Sequence, residues 1–234
     1  MKVAIYTSIF GNYDNLIEDQ LQLDGVDYIC FTDADIKSRT WRVVKSLPIY
    51  NDANRNAKKY KVLPHRYLKD YQYSIWIDGN IKVVGDVREL IDDSLHKVFD
   101  HNQTILDARN CLYEEANAIL QKGQENMRIT PHRGKLNYKD NPKLITQQVS
   151  RYLKEGYPSN NGLATNPIIL RRHKEKEVVD VMESWWEEIK YNSKRDQLSF
   201  DYICWKKNFK YSLLLGDSRD NEFFKSMGKH TGKK

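Results

Sequence analysis

No apolar run in the 234-residue chain approaches the length that a membrane-spanning helix needs. The start, Met1-Lys2, passes straight into Val3-Ala4-Ile5-Tyr6, too short a stretch for the core of a secretory signal, so a cytoplasmic setting without a transmembrane segment is expected. Cysteine is scarce. Cys30, Cys111 and Cys204 are odd in number, widely spaced and form no CxxC pair, which argues against a zinc site or a disulfide framework and for small core residues. GxGxxG and GxxxxGK[ST] are absent, which weakens dinucleotide-oxidoreductase and P-loop readings, and so are GxSxG and HExxH. There is no long Lys/Arg block and no nucleic-acid-binding motif, so no nucleic-acid partner is expected. No internal repeat or linker divides the chain, and residues 1–234 are expected to form one domain, with a flexible tail from about Asp217.

What is present is the composition of a soluble, folded protein, 40% hydrophobic and 30% charged. The formal net charge of +6 fits an anionic ligand such as a nucleotide diphosphate, although a solvated surface accounts for most of these charges. Fifteen tyrosines offer faces that stack on sugars or bases while keeping a polar handle.

Short β-branched and aromatic runs alternate with helical patterns, which predicts an α/β sandwich with a mostly parallel central sheet flanked by helices. Strands are expected at Val3 to Phe10, Asp27 to Phe31, Trp41 to Lys45, Tyr73 to Ile77, Ile81 to Val84, Leu163 to Leu170 and Phe209 to Leu215, with a short one at Lys97 to Phe99. Pro167 inside its strand predicts an edge position or a bulge. Helices are expected at Leu16 to Leu21, Ala53 to Leu63, Val87 to Leu95, Cys111 to Gln121, Leu144 to Lys154, Lys174 to Tyr191 and Leu198 to Lys206. Gln124 to Pro142 reads as a polar loop near the site. Trp185 and Trp186, on a long amphipathic helix, read as core.

Tyr73-Ser74-Ile75-Trp76-Ile77 ends abruptly in Asp78-Gly79-Asn80, and the ends of strands in an open α/β sheet are where ligands are met. An ordinary strand-to-turn junction explains that stretch equally simply. Other polar residues fall at element ends: Asp33, Asn160, Asn161, Asp196, Gln197 and His230. A carboxylate and further oxygens beside a bound diphosphate could hold a divalent metal, which would neutralise the departing group.

Several stretches together resemble a known family. They are Tyr6-Thr7-Ser8-Ile9-Phe10-Gly11-Asn12-Tyr13-Asp14, Cys30-Phe31-Thr32-Asp33, Ser74-Ile75-Trp76-Ile77-Asp78-Gly79-Asn80, Arg109-Asn110-Cys111-Leu112-Tyr113-Glu114-Glu115-Ala116 and Arg195-Asp196-Gln197-Leu198-Ser199-Phe200. They are similar to the glycosyltransferase-like family named after plant turgor-regulation and mucilage-related proteins. The resemblance implies a GT-A-like, Rossmann-like fold and transfer of a sugar from a nucleotide-diphosphate donor, a uridine diphosphate sugar foremost, to a glycan or small-molecule acceptor, with retention of configuration. It puts Asp78 and Asn80 where such enzymes carry a DxD motif that binds Mn²⁺ or Mg²⁺, with Asn in place of the second Asp, and likens His230 to a C-terminal metal ligand. It gives Asp196 and Gln197 the reacting centre. Thr7, Tyr13 and Asp33 would hold the nucleotide, Arg55 or Lys59 the diphosphate, and Asn160 and Asn161 sugar hydroxyls.

Simpler structural readings stand beside these. Asp196 opening a helix is a natural N-cap, Asn160 and Asn161 a turn, and Glu114 and Glu115 either a helix start or acceptor contacts. His65 and His101 read as satisfied structural histidines. Two other functions fit the same residues: a non-catalytic nucleotide-sugar-binding protein, and a metal-dependent hydrolase of a phosphate-bearing substrate.

Overall fold

The computed structural model describes residues 2–104 and 108–228, and side chains there except those of 135–137. Its strands are β1 (Val3–Ile9), β2 (Val26–Thr32), β3 (Arg42–Lys45), β4 (Tyr73–Ile77), β5 (Ile81–Val83), β6 (His96–Asp100), β7 (Ala164–Arg171), β8 (Ser212–Leu214) and β9 (Phe224–Ser226). The helices are α1 (Ala53–Val62), α2 (Pro64–Tyr67), α3 (Leu112–Ile129), α4 (Pro142–Lys154), α5 (Lys176–Tyr191) and α6 (Phe200–Lys206). Seven strands form one sheet in the order β3-β2-β1-β4-β7-β6-β8, and β5 pairs with β9 separately. Four of the six pairings in the large sheet are parallel; β7 runs antiparallel to both its neighbours. The expected α/β class with a mostly parallel sheet is therefore what the chain adopts.

Every residue of β1 is buried, as a central strand covered on both faces requires. Its side chains alternate between two cores. Ala4 and Tyr6 join Trp76, Ile169 and the α5 tryptophans Trp185 and Trp186, which are core as expected. Val3, Ile5 and Ile9 join Ile75, Ile77, Leu170 and Phe224 on the other side. Cys30, Cys111 and Cys204 are buried and free. Among the described residues no helix is long and apolar enough to cross a membrane.

Three local expectations give way to tertiary contacts. Leu16 to Leu21 is not helical: Leu21 N–H bonds to the Val83 carbonyl and the Gln20 side chain to Val83 N–H, so this segment is held along β5. Gln124 to Pro142 is not a loop throughout, because α3 runs on to Ile129 and a 3-10 stretch follows at Pro131–Asn137. Gly123 makes this possible; a Cβ there would lie 2.0 Å from Tyr138 Cδ1, so only glycine lets that ring dock on α3. Val87 to Leu95 shrinks to a 3-10 turn at Val87–Leu90, capped by the Asp86 side chain. Pro167 is not at an edge, since β7 lies between β4 and β6; the β6–β7 register shifts beside it, which is the bulge alternative. The polar segment after Asp217 folds back through β9, with Phe224 fully buried.

Candidate active site

The bulge and the end of β4 meet. Asp78 N–H donates to the Pro167 carbonyl at 2.8 Å, which fixes the Asp78-Gly79-Asn80 turn against β7. Asp78 Oδ1 accepts from Trp76 Nε1 at 2.8 Å and from Lys61 Nζ at 3.3 Å. Gly79 allows Asp14 to approach; a Cβ at residue 79 would sit 3.0 Å from Asp14 Oδ2. Asn80 donates its amide to the Gly228 carbonyl at 2.7 Å and accepts Met227 N–H on its backbone carbonyl, so the turn also anchors the end of the described chain.

Asp196 sits in the 3-10 turn Asp196–Leu198 and is buried. It is not an N-cap. Its carboxylate is turned to α1, where Lys58 Nζ lies 2.9 Å from Oδ1 and Lys61 Nζ 2.7 Å from Oδ2. Lys58 and Lys61 are three residues apart and so share one helix face. Lys61 thereby bridges Asp78 and Asp196. Burial alone would raise the Asp196 carboxyl, but Lys58, Lys61 and Arg195 hold it well below the usual carboxylate range. The two lysines respond in opposite directions. Burial lowers Lys58 to about 8 because Asp196 only partly compensates and Arg195 and Lys61 repel it. Burial also opposes the charge of Lys61, but two carboxylates outweigh it and raise its pKa.

Two cavities join at this cluster. One, of 270 Å³, is lined by Asn80, His101, Thr165, Asn166 and Gln197, and the other, of 140 Å³, by Ser8, Tyr13, Asp14, Asn54 and Lys58. Lys61, Asp78, Arg195 and Asp196 belong to both. Both amide atoms of the buried Asn166 and Nε2 of the buried Gln197 have no hydrogen-bond partner among the described residues. Asn54 Oδ1 is likewise unpartnered in the smaller chamber. Buried polar groups are rarely left so, and the residues that carry these line the two cavities. Supports lie behind. Glu115, on α3 and buried, holds Arg195 at 3.2 Å and Arg109 at 2.6 Å. The fully buried Arg171 donates to the Lys61 carbonyl at 2.6 Å and to Tyr6 Oη, and Tyr6 Oη donates to the same carbonyl at 2.8 Å. The last turn of α1 is thus pinned where it presents Lys61.

Of the residues singled out in the sequence, Asp78, Asn80, Tyr13, Asp196 and Gln197 line the joined cavities, as does His101. Thr7 is buried within β1 and its neighbour Ser8 lines the cavity instead. Asp33 accepts Gly11 N–H on both oxygens at 3.1 Å, shaping the turn before Tyr13 rather than lining the cleft. Arg55 is tied to Asp52 and to the Ile189 and Asn192 carbonyls, and Lys59 lies over the Tyr60 and Tyr67 rings. Neither lines the joined cavities, whereas Lys58 and Lys61 do. Asn160 and Asn161 are exposed in the turn after α4, away from the cleft. Glu114 accepts Asn110 N–H at 2.7 Å, the helix-start role, and His65 bonds to Glu183 at 2.7 Å. His230 lies outside the described residues. Sequence reasoning did not single out Lys58, Lys61, Asn166 and Arg195, which line the cavities. The three-residue spacing of the lysines and the proline after Asn166 were the available signals.

A divalent cation at the turn would find Asp78 Oδ2 and the Asn80 amide oxygen, while no group of three or more His, Cys, Asp or Glu side chains converges among the described residues. Two side-chain oxygens alone would leave such an ion to complete its shell with phosphate and water.

The family model of the TOD1/MUCI70 glycosyltransferase-like domain matches residues 1–229. A probable hexosyltransferase, MUCI70, from Arabidopsis thaliana is 29% identical over 234 residues, covering 94% of this chain and 36% of that protein, so the chain spans about a third of its relative's length. The fold is also similar to the crystal structure of a glycosyltransferase involved in the glycosylation of the major capsid of PBCV-1, with a TM-score of 0.52, 9% identity, and 97% and 94% of the two chains covered. With the match extending across nearly every residue, the chain belongs to the TOD1/MUCI70 glycosyltransferase-like domain family.

Proposed function

We infer that the protein is a glycosyltransferase that moves a hexose-sized sugar from a nucleotide-diphosphate donor to a glycan or small-molecule acceptor. The observation that carries this reading is Asp196: a buried carboxylate held ionised by two ammonium groups, at a cavity edged by the unpartnered amides of Asn166 and Gln197. In the larger chamber those amides would bind sugar hydroxyls. Asp196, fixed in place before the reaction, would stabilise the positive charge that develops at the anomeric carbon as the glycosidic bond lengthens. Lys61 and Arg195 face the space common to both chambers and would take up the negative charge of the departing diphosphate. Tyr13, Ser8 and Asn54 would hold the nucleoside end. Asp78 and Asn80 would hold Mn²⁺ or Mg²⁺, which when bound supplies further positive charge to the diphosphate. Retention is the stereochemical reading that the family resemblance supports.

The test is to incubate the protein with uridine, guanosine and cytidine diphosphate sugars, with and without Mn²⁺, and follow release of the nucleoside diphosphate. Turnover of one donor, lowered about a hundredfold or more in Asp196→Asn, is expected. Equal turnover in that variant, or binding of every donor without turnover, would sink the catalytic reading.

A further inference from the structure

A separate cavity of 240 Å³ lies between the turn that precedes β7, the end of α6 and the segment leading into β8, and it shares no lining residue with the cleft. Its floor carries Asp201, which is buried and whose oxygens accept Tyr211 Oη at 2.6 Å and Ala164 N–H at 2.9 Å. Trp205 is part of its lining. Trp41, Trp76, Trp185 and Trp186 are buried, whereas Trp205 is 37% exposed, propped edge-on against Tyr157 at 5.5 Å. Phe209, half-buried, is a second aromatic of the lining, which also includes the exposed amides of Asn161 and Asn208, the charged Lys210 side chain in the same lining as the Asp201 carboxylate, and Tyr211 and Cys204.

We propose that this cavity is a binding subsite for a neutral hexose unit of a glycan. A pyranose ring has an apolar face that packs on an aromatic ring and an equator of hydroxyls that both donate and accept. Exposed Trp205 and Phe209 supply the first surface, and two amides and a carboxylate supply the second. The carboxylate is already braced by two hydrogen bonds, so it is a fixed acceptor rather than a mobile charge. The subsite is built into the same strand as the cleft: Asp201 grips Ala164, and the next two residues, Thr165 and Asn166, line the larger chamber. A glycan anchored here would be held beside the reacting centre. Only that use as an acceptor anchor rests on the transferase reading; the binding does not.

The experiment is calorimetric titration of the protein with maltohexaose, cellohexaose and mannohexaose, with tryptophan fluorescence as a second readout. Binding of at least one in the millimolar range or tighter is expected, with a change in emission from the one exposed tryptophan. Asn208 has a φ of +50°, so Asn208→Gly removes its amide without straining the backbone. That variant and Asn161→Ala should each weaken binding about tenfold, with melting curves unchanged, while Asp196→Asn in the cleft should bind as the parent does. No binding of any of the three sugars would overturn the proposal. So would binding that is lost in Asp196→Asn and untouched by Asn208→Gly and Asn161→Ala. Sugar binding with this pattern but no donor turnover would retain the subsite and remove the transferase reading.

Discussion

Replacing Lys61 by methionine keeps most of the side-chain volume and removes one charge. Lys61 lies 2.7 Å from Asp196, and both side chains are nearly buried. At an effective dielectric of about 20, such a pair attracts by roughly 6 kcal/mol before desolvation is counted. Removing one partner of a buried pair typically costs about 3–5 kcal/mol, because the other charge is left behind. Lys58 still faces Asp196 at 2.9 Å, which favours the low end. The contact with Asp78 adds little, since that side chain is 34% exposed and screened by water. The expected loss is therefore about 3 kcal/mol. For a domain of this size, that corresponds to a Tm about 6–12 °C lower. Circular dichroism melting measures it directly. Adding Asp196→Asn to Lys61→Met leaves Lys58 as the unpaired buried charge and should not recover the Tm, while donor turnover stays absent. A Tm of Lys61→Met within about 2 °C of the parent would refute the bridge as a structural element.

Further outcomes follow from the same cluster. The folded pKa of Asp196 is depressed below its ordinary value of 3.8, so its stabilisation is present above that pH and is lost as pH falls below it; acid melting of the parent should steepen there and flatten in Asp196→Asn. The pKa of Lys58 is lowered to about 8, so between pH 8 and its ordinary 10.5 the unfolded chain binds more protons. Its contribution to stability rises with pH across that window, and proton uptake on unfolding, followed by calorimetry in buffers of different ionisation heat, should lose this component in Lys58→Met. Gly79→Ala places a methyl 3.0 Å from Asp14 Oδ2 and should cost about 1–3 kcal/mol together with donor affinity, whereas an unchanged melt and unchanged titration would show that Asp14 moves freely. Asn80→Asp adds a second carboxylate and should tighten Mn²⁺ binding in titration calorimetry, an effect that must vanish when Asp78→Ala is added.

The order of strands and helices was legible in the sequence because apolar periodicity is a local property. Val3–Ile9 and Tyr73–Ile77 are apolar enough to be buried on both faces, and Asp78-Gly79-Asn80 has the residues of a turn wherever it occurs. The family resemblance likewise rested on short contiguous stretches, and four residues it singled out, Asp78, Asn80, Asp196 and Gln197, line the larger cavity. What the sequence does not contain is which distant side chains meet. Lys58, Lys61 and Asp196 are 138 and 135 positions apart along the chain, and only the packing of α1 beside the turn after α5 brings them within 3 Å. Arg55 and Lys59 are as basic as their neighbours, and only their tertiary partners, the Ile189 and Asn192 carbonyls for Arg55 and the Tyr67 ring for Lys59, keep them out of the cleft. Residues 16–21 have helical composition, yet β5 offers their backbone a partner that no local rule foresees. Local propensity thus determined most of the elements and turns, while the charge of the Asp196 cluster arises from long-range contacts, because burial and ion pairing depend on what surrounds a group and not on what precedes it in the chain.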